Sequence, residues 1–143
     1  MKVGFFIASV GRGGVESSLS KLLQALSKSG LELTLLYGDA PSDWLESIDE
    51  SIEVIRLRRR ALLPFMDRII DERASLSLSL VRDLTQQLKS KNLDALVGYQ
   101  SGSAALFAKW RAGVDTRVIV RESIVPSIAY KYEASKWAIL KKL

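Results

Sequence analysis

The chain has 143 residues, a length that suits one domain with a substantial buried core. It contains no cysteine and no histidine, which excludes a disulfide framework, thiol chemistry, a histidine general base and a histidine metal site. The net charge of +5 favours anionic partners in general, and no apolar run is long enough to span a membrane. The absence of cysteine fits a cytoplasmic protein, which is what we expect.

The first elements in chain order are a strand, a glycine-rich turn and a helix. Lys2–Ser9 is a continuous apolar run, typical of a central strand that is buried on both faces of a parallel sheet. The turn Gly11–Glu16 follows, and a helix is predicted over 15–28 with Gly30 as its stop. Apolar residues at helical spacing predict the buried face of this helix: Val15, Leu19, Leu22, Leu23 and Leu26.

The remaining elements continue the same alternation of strands and helices. Strands are predicted over 31–37, 51–57, 94–99 and 116–120. A short helical turn capped by Ser42 and a long helix over 65–91 are predicted first. A third helix is predicted from a cap at Ser101 or Ser103 to Gly113, and a last one from Ile128 to the chain end. This order predicts an α/β fold, a Rossmann-like parallel sheet with helices on both faces. The last helix reaches Leu143 without a stop signal, so we expect the domain to be truncated there.

The carboxyl ends of the predicted strands carry the residues that indicate chemistry. Glycines in the first turn allow close approach to backbone N–H groups, and the following helix directs its positive dipole end to the same place. A phosphate or carboxylate would be stabilised there. Two other loops, Tyr99–Ser103 and Arg121–Ser127, belong to the same edge of the sheet. A basic cluster ends the third strand and is either a solvated loop or an anion contact: Arg56, Arg58, Arg59 and Arg60.

Two alternatives arise from these residues. The first is the dinucleotide-binding domain of an oxidoreductase, with Asp39 as the ribose acid, but its G-x-G-x-x-G fingerprint would need glycine at Glu16. A P-loop is excluded because no G-K-[ST] follows the glycines. The second is a non-enzymatic α/β binding module of the receiver type. Ser9-Val10 and Leu57-Arg58 lack the acids that such a module needs at these strand ends.

The run Met1–Ile7 is followed by the turn Gly13-Gly14-Val15-Glu16. In this order they resemble the first strand and the G-G-x-E turn in the N-terminal part of family 4 glycosyltransferases, which have the GT-B fold. Further resemblances extend over nearly the whole chain, in Leu26–Gly30, Leu31–Leu35, Leu93–Val97, Ala112–Val114 and Val118–Ser123.

The resemblance implies a retaining, metal-independent sugar transferase built from two Rossmann-like domains. Residues 1–143 would be the N-terminal, acceptor-side domain, and the C-terminal donor-binding domain would be its partner, absent from this chain. The isolated chain is therefore expected to be inactive. No cofactor is implied, because the nucleotide-sugar donor is a substrate of the intact enzyme. The acceptor would be a glycan or a lipid-linked sugar in polysaccharide biosynthesis. The basic surface suits peripheral contact of the protein with an anionic membrane. No nucleic acid partner is expected, because the arginine cluster has no interleaved aromatic residue for base stacking.

The resemblance also assigns site residues. Gly13 and Gly14 would approach the donor phosphates. We expect the acceptor to contact residues at the same edge of the sheet: Glu16, Tyr99, Gln100, Ser101, Arg121, Glu122 and Ser123. Each of these residues could instead have a structural role. Glu16 could stabilise the helix dipole, the residues after Tyr99 could cap a helix, and Arg121 and Glu122 could form an ion pair that organises their loop. Many family members have a histidine after the fifth strand, and its absence here leaves the catalytic residue unassigned.

Overall fold

The structure, a computed structural model, describes residues 1–11, 14–58 and 78–121. Its five strands are β1 (Lys2–Ser9), β2 (Glu32–Asp39), β3 (Glu53–Arg56), β4 (Ala95–Tyr99) and β5 (Arg117–Arg121). Its helices are α1 (Gly14–Ser27), α2 (Ser42–Glu46), α3 (Leu78–Lys91) and α4 (Gly102–Ala112). All strand pairs are parallel, in the order β3-β2-β1-β4-β5. The predicted α/β, Rossmann-like fold class is confirmed.

The central strand β1 supplies side chains to two separate cores. Val3, Phe5 and Ile7 pack on one face of the sheet with the buried leucines of α1 and with residues around α2. Phe6 and Ala8 point to the other face, where α3 and α4 cover them. This alternation follows from the two-residue period of a strand, and it explains why the whole run is apolar.

Helix boundaries agree with the sequence signals at most ends. Gly30 and Gly113 follow α1 and α4 with φ of 74° and 65°, the left-handed conformation that glycine tolerates best. The predicted cap at Ser42 is wrong, because Pro41 occupies the N-cap position of α2 and no side-chain cap bond forms. The predictions over 65–77 and 128–143 lie outside the described residues, as do Arg59 and Arg60. Among the described helices, none is long and apolar enough to cross a membrane.

Side-chain contacts anchor β3 and α3 to each other. The Lys91 ammonium pairs with the Glu53 carboxylate, and the hydrogen bond from Lys91 lowers the pKa of Glu53. Asp83 accepts a 2.8 Å hydrogen bond from the backbone N–H of Arg58. The Arg56 guanidinium lies 3.5 Å from the Asp39 carboxylate, and both are exposed. In the described part of the basic cluster, the side chain of Arg56 thus pairs with Asp39, whereas Arg58 contributes its backbone N–H to the contact with α3.

Helix α4 approaches the sheet closely because its inner face consists of small residues. Ala104, Ala105 and Ala108 are fully buried. A Cβ atom built on Gly98 of β4 would lie 3.1 Å from the Cβ of Ala105, so glycine at this position permits the close approach. The large apolar side chains of α4 consequently lie on its outer face, where they are exposed.

Candidate functional site

The sheet changes winding direction between β1 and β4. Helix α1, which follows β1, packs on one face of the sheet, and helix α4, which follows β4, packs on the other. A crevice forms at the carboxyl end of such a switch point, and ligands of open α/β sheets bind in it. Here a pocket of about 270 Å³ opens at this place. Its lining residues come from α1 and from the ends of β4 and β5: Gly14, Val15, Ser18, Tyr99, Gln100 and Arg121.

A hydrogen-bonded group of three side chains forms the wall of the pocket. Arg121 Nη1 donates to Ser18 Oγ at 3.0 Å, and the Tyr99 hydroxyl lies 3.3 Å from the same oxygen. The Arg121 guanidinium carbon lies 4.5 Å from the centroid of the Tyr99 ring, a cation–π contact. Within the described ranges no carboxylate pairs with Arg121. Within the described residues, the pocket therefore has a cationic group that Ser18 and the Tyr99 ring hold in place.

The Glu16 side chain folds back onto the turn that precedes α1. Its Oε1 accepts a 2.8 Å hydrogen bond from the backbone N–H of Gly11. Glu16 is the third residue of α1, and a glutamate there commonly satisfies an upstream amide and stabilises the helix dipole. Its Oε2 is buried and accepts no hydrogen bond from the part of the chain that the structure describes. Glu16 is not among the residues that line the pocket.

The segment that follows β4 forms a hydrogen bond with the end of β1 beside the pocket. The Ser101 hydroxyl accepts a 3.2 Å hydrogen bond from the Ala8 N–H, so it continues the pairing of β1 beyond the end of β4. The predicted cap bond from Ser101 or Ser103 is therefore wrong: Ser101 is the N-cap residue by position, but no side chain caps α4. Gln100 has a φ of 54°, a left-handed backbone conformation that costs a residue other than glycine roughly 1–3 kcal/mol.

Ser101→Ala is expected to destabilise the protein by about 1–3 kcal/mol, because the buried N–H of Ala8 would lose its acceptor. Urea unfolding of the full chain measures this change. Ser103→Ala is the matched control, since Ser103 is exposed on the same helix. Equal unfolding midpoints for the two variants would contradict the role of the Ser101 hydroxyl.

The structure brings together four of the predicted site residues: Gly14, Tyr99, Gln100 and Arg121. Glu16 and Ser101 lie beside the pocket with their side chains bonded to backbone amides. Gly13, Glu122 and Ser123 lie outside the described residues. Ser18 was not among the predicted site residues, and Val15 was predicted only as a core residue. Across residues 1–11, 14–58 and 78–121, no group of three acidic side chains is arranged to hold a metal ion.

Comparisons with known proteins identify the fold. No model of a known protein family matches the chain, and no curated protein matches it. Among solved structures, the lipopolysaccharide outer core galactosyltransferase WaaB in its apo form has a TM-score of 0.59 and 20% identity over 84% of this chain and 32% of its own. The glycosyltransferase of kitacinnamycin has a TM-score of 0.62 and 16% identity over 99% of this chain and 36% of its own.

MurG from Acinetobacter baumannii is a third structure of this kind, with a TM-score of 0.53 and 16% identity over 84% of this chain and 34% of its own. The chain thus spans about a third of the length of the structures that it matches. At these identities the likeness shows a shared fold, namely the Rossmann-like fold that occurs in glycosyltransferases.

Proposed function

We propose that this chain is the acceptor-side part of a family 4 glycosyltransferase, retaining and metal-independent, of the two-domain GT-B architecture. The intact enzyme would transfer a sugar from a nucleotide-sugar donor to a glycan or lipid-linked acceptor in polysaccharide biosynthesis, at the cytoplasmic face of a membrane. One observation carries this proposal: the pocket at the switch point has the N-terminus of α1 on one side and Arg121 on the other. The shared fold with glycosyltransferases supports it.

The N-terminus of α1 would stabilise the negative charge of the donor. The first N–H groups of a helix have no intrahelical acceptor, and together with the helix dipole they attract phosphate. Gly14 is the first residue of α1, it is exposed, and a Cβ built on it would meet no atom within 4 Å. Its backbone is therefore open to the pocket. When the bond between the sugar and the phosphate breaks, charge develops on the departing phosphate oxygen, and these groups would stabilise it.

The opposite wall would hold the acceptor. Arg121 is positioned by Ser18 and by the ring of Tyr99, so it would lose little freedom on binding a polar or anionic group. Gln100 lines the same wall and offers an amide for hydrogen bonds to sugar hydroxyls. We assign acceptor positioning to these residues and no proton transfer, because none of their side chains is an evident general base at neutral pH.

The contact between Glu16 and Gly11 argues against the dinucleotide alternative. In that fold the pyrophosphate lies on the amides of the glycine turn. Here the Gly11 N–H already donates its hydrogen bond to the Glu16 carboxylate. The negative charge of this carboxylate would repel a pyrophosphate at the same position. The proposed donor phosphate would lie on the exposed first residue of α1, Gly14, and not on the Gly11 amide.

Arg121→Met in the intact enzyme is expected to lower kcat/KM for the acceptor roughly ten- to a hundredfold, because a charged hydrogen-bond donor is lost from the pocket. The assay follows nucleoside diphosphate release with a panel of nucleotide sugars and glycan or lipid-linked acceptors. Arg117→Met is the matched control, since Arg117 is exposed at the other end of the same strand. Equal activity of both variants would remove Arg121 from the site. Reduction of NAD by the intact protein, with no sugar transfer, would overturn the proposed function itself.

A further inference from the structure

Ser18 joins helix α1 to the ends of two strands that line the pocket. It is the fifth residue of α1, about one helical turn after Gly14, so the two residues lie on the same side of the helix and both line the pocket. Tyr99 ends β4 and Arg121 ends β5, and these two residues are paired in the sheet. Three separate elements, α1, β4 and β5, therefore meet at the side chain of Ser18.

The hydroxyl oxygen of Ser18 is shared between two partners. Arginine has no hydrogen-bond acceptor in its side chain, so Arg121 Nη1 is the donor of the 3.0 Å contact and Ser18 Oγ is the acceptor. The Tyr99 hydroxyl lies 3.3 Å from the same oxygen, and either hydroxyl can be the donor in that contact. A single oxygen atom of α1 thus contacts the tips of both side chains.

The direction of the Arg121 guanidinium depends on this oxygen. Arg121 is exposed, and a long exposed side chain has many rotamers whose loss costs free energy. The guanidinium carbon lies 4.5 Å from the centroid of the Tyr99 ring, but the face of a ring attracts a cation without selecting one N–H group. A hydrogen bond is directional, so the bond to Ser18 orients the guanidinium in a way that the ring cannot.

From these contacts we infer that Ser18 is a positioning residue, which acts by holding the Arg121 guanidinium in the direction that meets the acceptor. The inference rests on the proposed function, in which Arg121 binds the acceptor, and it adds a residue to that site. Without the Ser18 hydroxyl the charge of Arg121 would remain, but the acceptor would have to order the guanidinium as it binds. The cost would therefore fall on acceptor binding and not on the chemical step.

Ser18→Ala in the intact enzyme is expected to raise KM for the acceptor roughly three- to tenfold, with kcat nearly unchanged. Alanine favours the helical conformation, so this change does not weaken α1. Ser18→Thr keeps a hydroxyl at the same position and should restore the KM of the unaltered enzyme. Ser17→Ala is the matched control, because Ser17 is exposed on the same helix and does not line the pocket. In an Arg121→Met enzyme, Ser18→Ala should add no further effect, since the group through which it acts is gone.

The NMR signal of the Arg121 side chain gives a readout that does not require sugar transfer. Protons held over the face of an aromatic ring resonate upfield, so the Tyr99 ring should shift the Nε–H signal of Arg121 in the full chain. The signal that Arg121→Met removes is the one to follow. Ser18→Ala should move it towards the position of an ordinary exposed arginine, whereas Ser18→Thr and Ser17→Ala should leave it in place.

The two measurements separate this inference from the proposed function. An unchanged Arg121 signal in the Ser18→Ala chain would overturn the positioning role of Ser18. An unchanged KM for the acceptor in an active Ser18→Ala enzyme would overturn it as well, and so would an equal effect of Ser18→Ala in the Arg121→Met enzyme. If the signal moves as expected but the intact protein transfers no sugar, Ser18 still positions Arg121 and the proposed function is the part that fails.

Discussion

Gly14→Val in the intact enzyme is expected to abolish sugar transfer while leaving the fold unchanged. Gly14 lines the pocket and is the first residue of α1, so a side chain there would stand in front of the helix N–H groups. A Cβ at this position meets no atom within 4 Å, so the added side chain begins in open space. The loss of phosphate contacts that stabilise the departing charge should reduce kcat/KM by about a thousandfold.

The measurement is nucleoside diphosphate release by the intact enzyme, together with the thermal unfolding midpoint. Ser17→Val is the matched control, because Ser17 is exposed on the same helix and does not line the pocket. It should retain nearly full activity. Normal turnover by the Gly14→Val enzyme would exclude the glycine turn from the mechanism, whereas the fold assignment would stand.

Gly38→Ala should remove about 3 kcal/mol or more of folding stability, a large part of what a domain has. Gly38 is buried in β2, and a Cβ built on it would overlap the carbonyl oxygen of Ala8 in the neighbouring strand and lie 2.9 Å from a methyl carbon of Leu80. The side chain of Leu80 can rotate, but the Ala8 carbonyl belongs to the central strand and cannot move without breaking the sheet.

Urea unfolding of the full chain measures this effect. Gly14→Ala is the suitable comparison, since it adds the same methyl group in open space and should shift the midpoint little. An unchanged midpoint for Gly38→Ala would mean that β1 and β2 are farther apart at this point than the structure places them.

Much of the fold could be predicted from residue patterns within single strands and helices. The run Lys2–Ser9 coincides with β1, because the residues between its exposed, polar ends are buried and none of them is polar. The leucines of α1 include Leu19 and Leu23, which are fully buried as their spacing predicts. Tyr99 and Arg121 meet because parallel strands end at the same edge, so their neighbourhood could be inferred from the order of elements alone.

Contacts between distant residues could not be inferred in this way. Ser18 reads as an ordinary helix residue, and it becomes part of the site only because Tyr99 and Arg121, 81 and 103 residues away, approach it. The sequence predicts that the Ser101 hydroxyl caps α4. Instead the hydroxyl accepts a hydrogen bond from the Ala8 N–H, 93 residues away. Position in a turn can suggest that a side chain forms a hydrogen bond, whereas its partner depends on tertiary packing.

The central position of β1 has a consequence for the way the site is assembled during synthesis. β1 pairs with β2 about 30 residues later, whereas Lys2 meets Asp94 across a separation of 92 residues. Ribosomes add roughly 5–20 residues per second, so Tyr99, the last residue of β4, emerges roughly 3–12 seconds after Asp39. During this interval one edge of β1 lacks its strand partner and is open to other chains. We therefore expect the pocket to close last on refolding, after α1 has packed onto β1 and β2, and the nascent chain to be most prone to aggregation before β4 is complete.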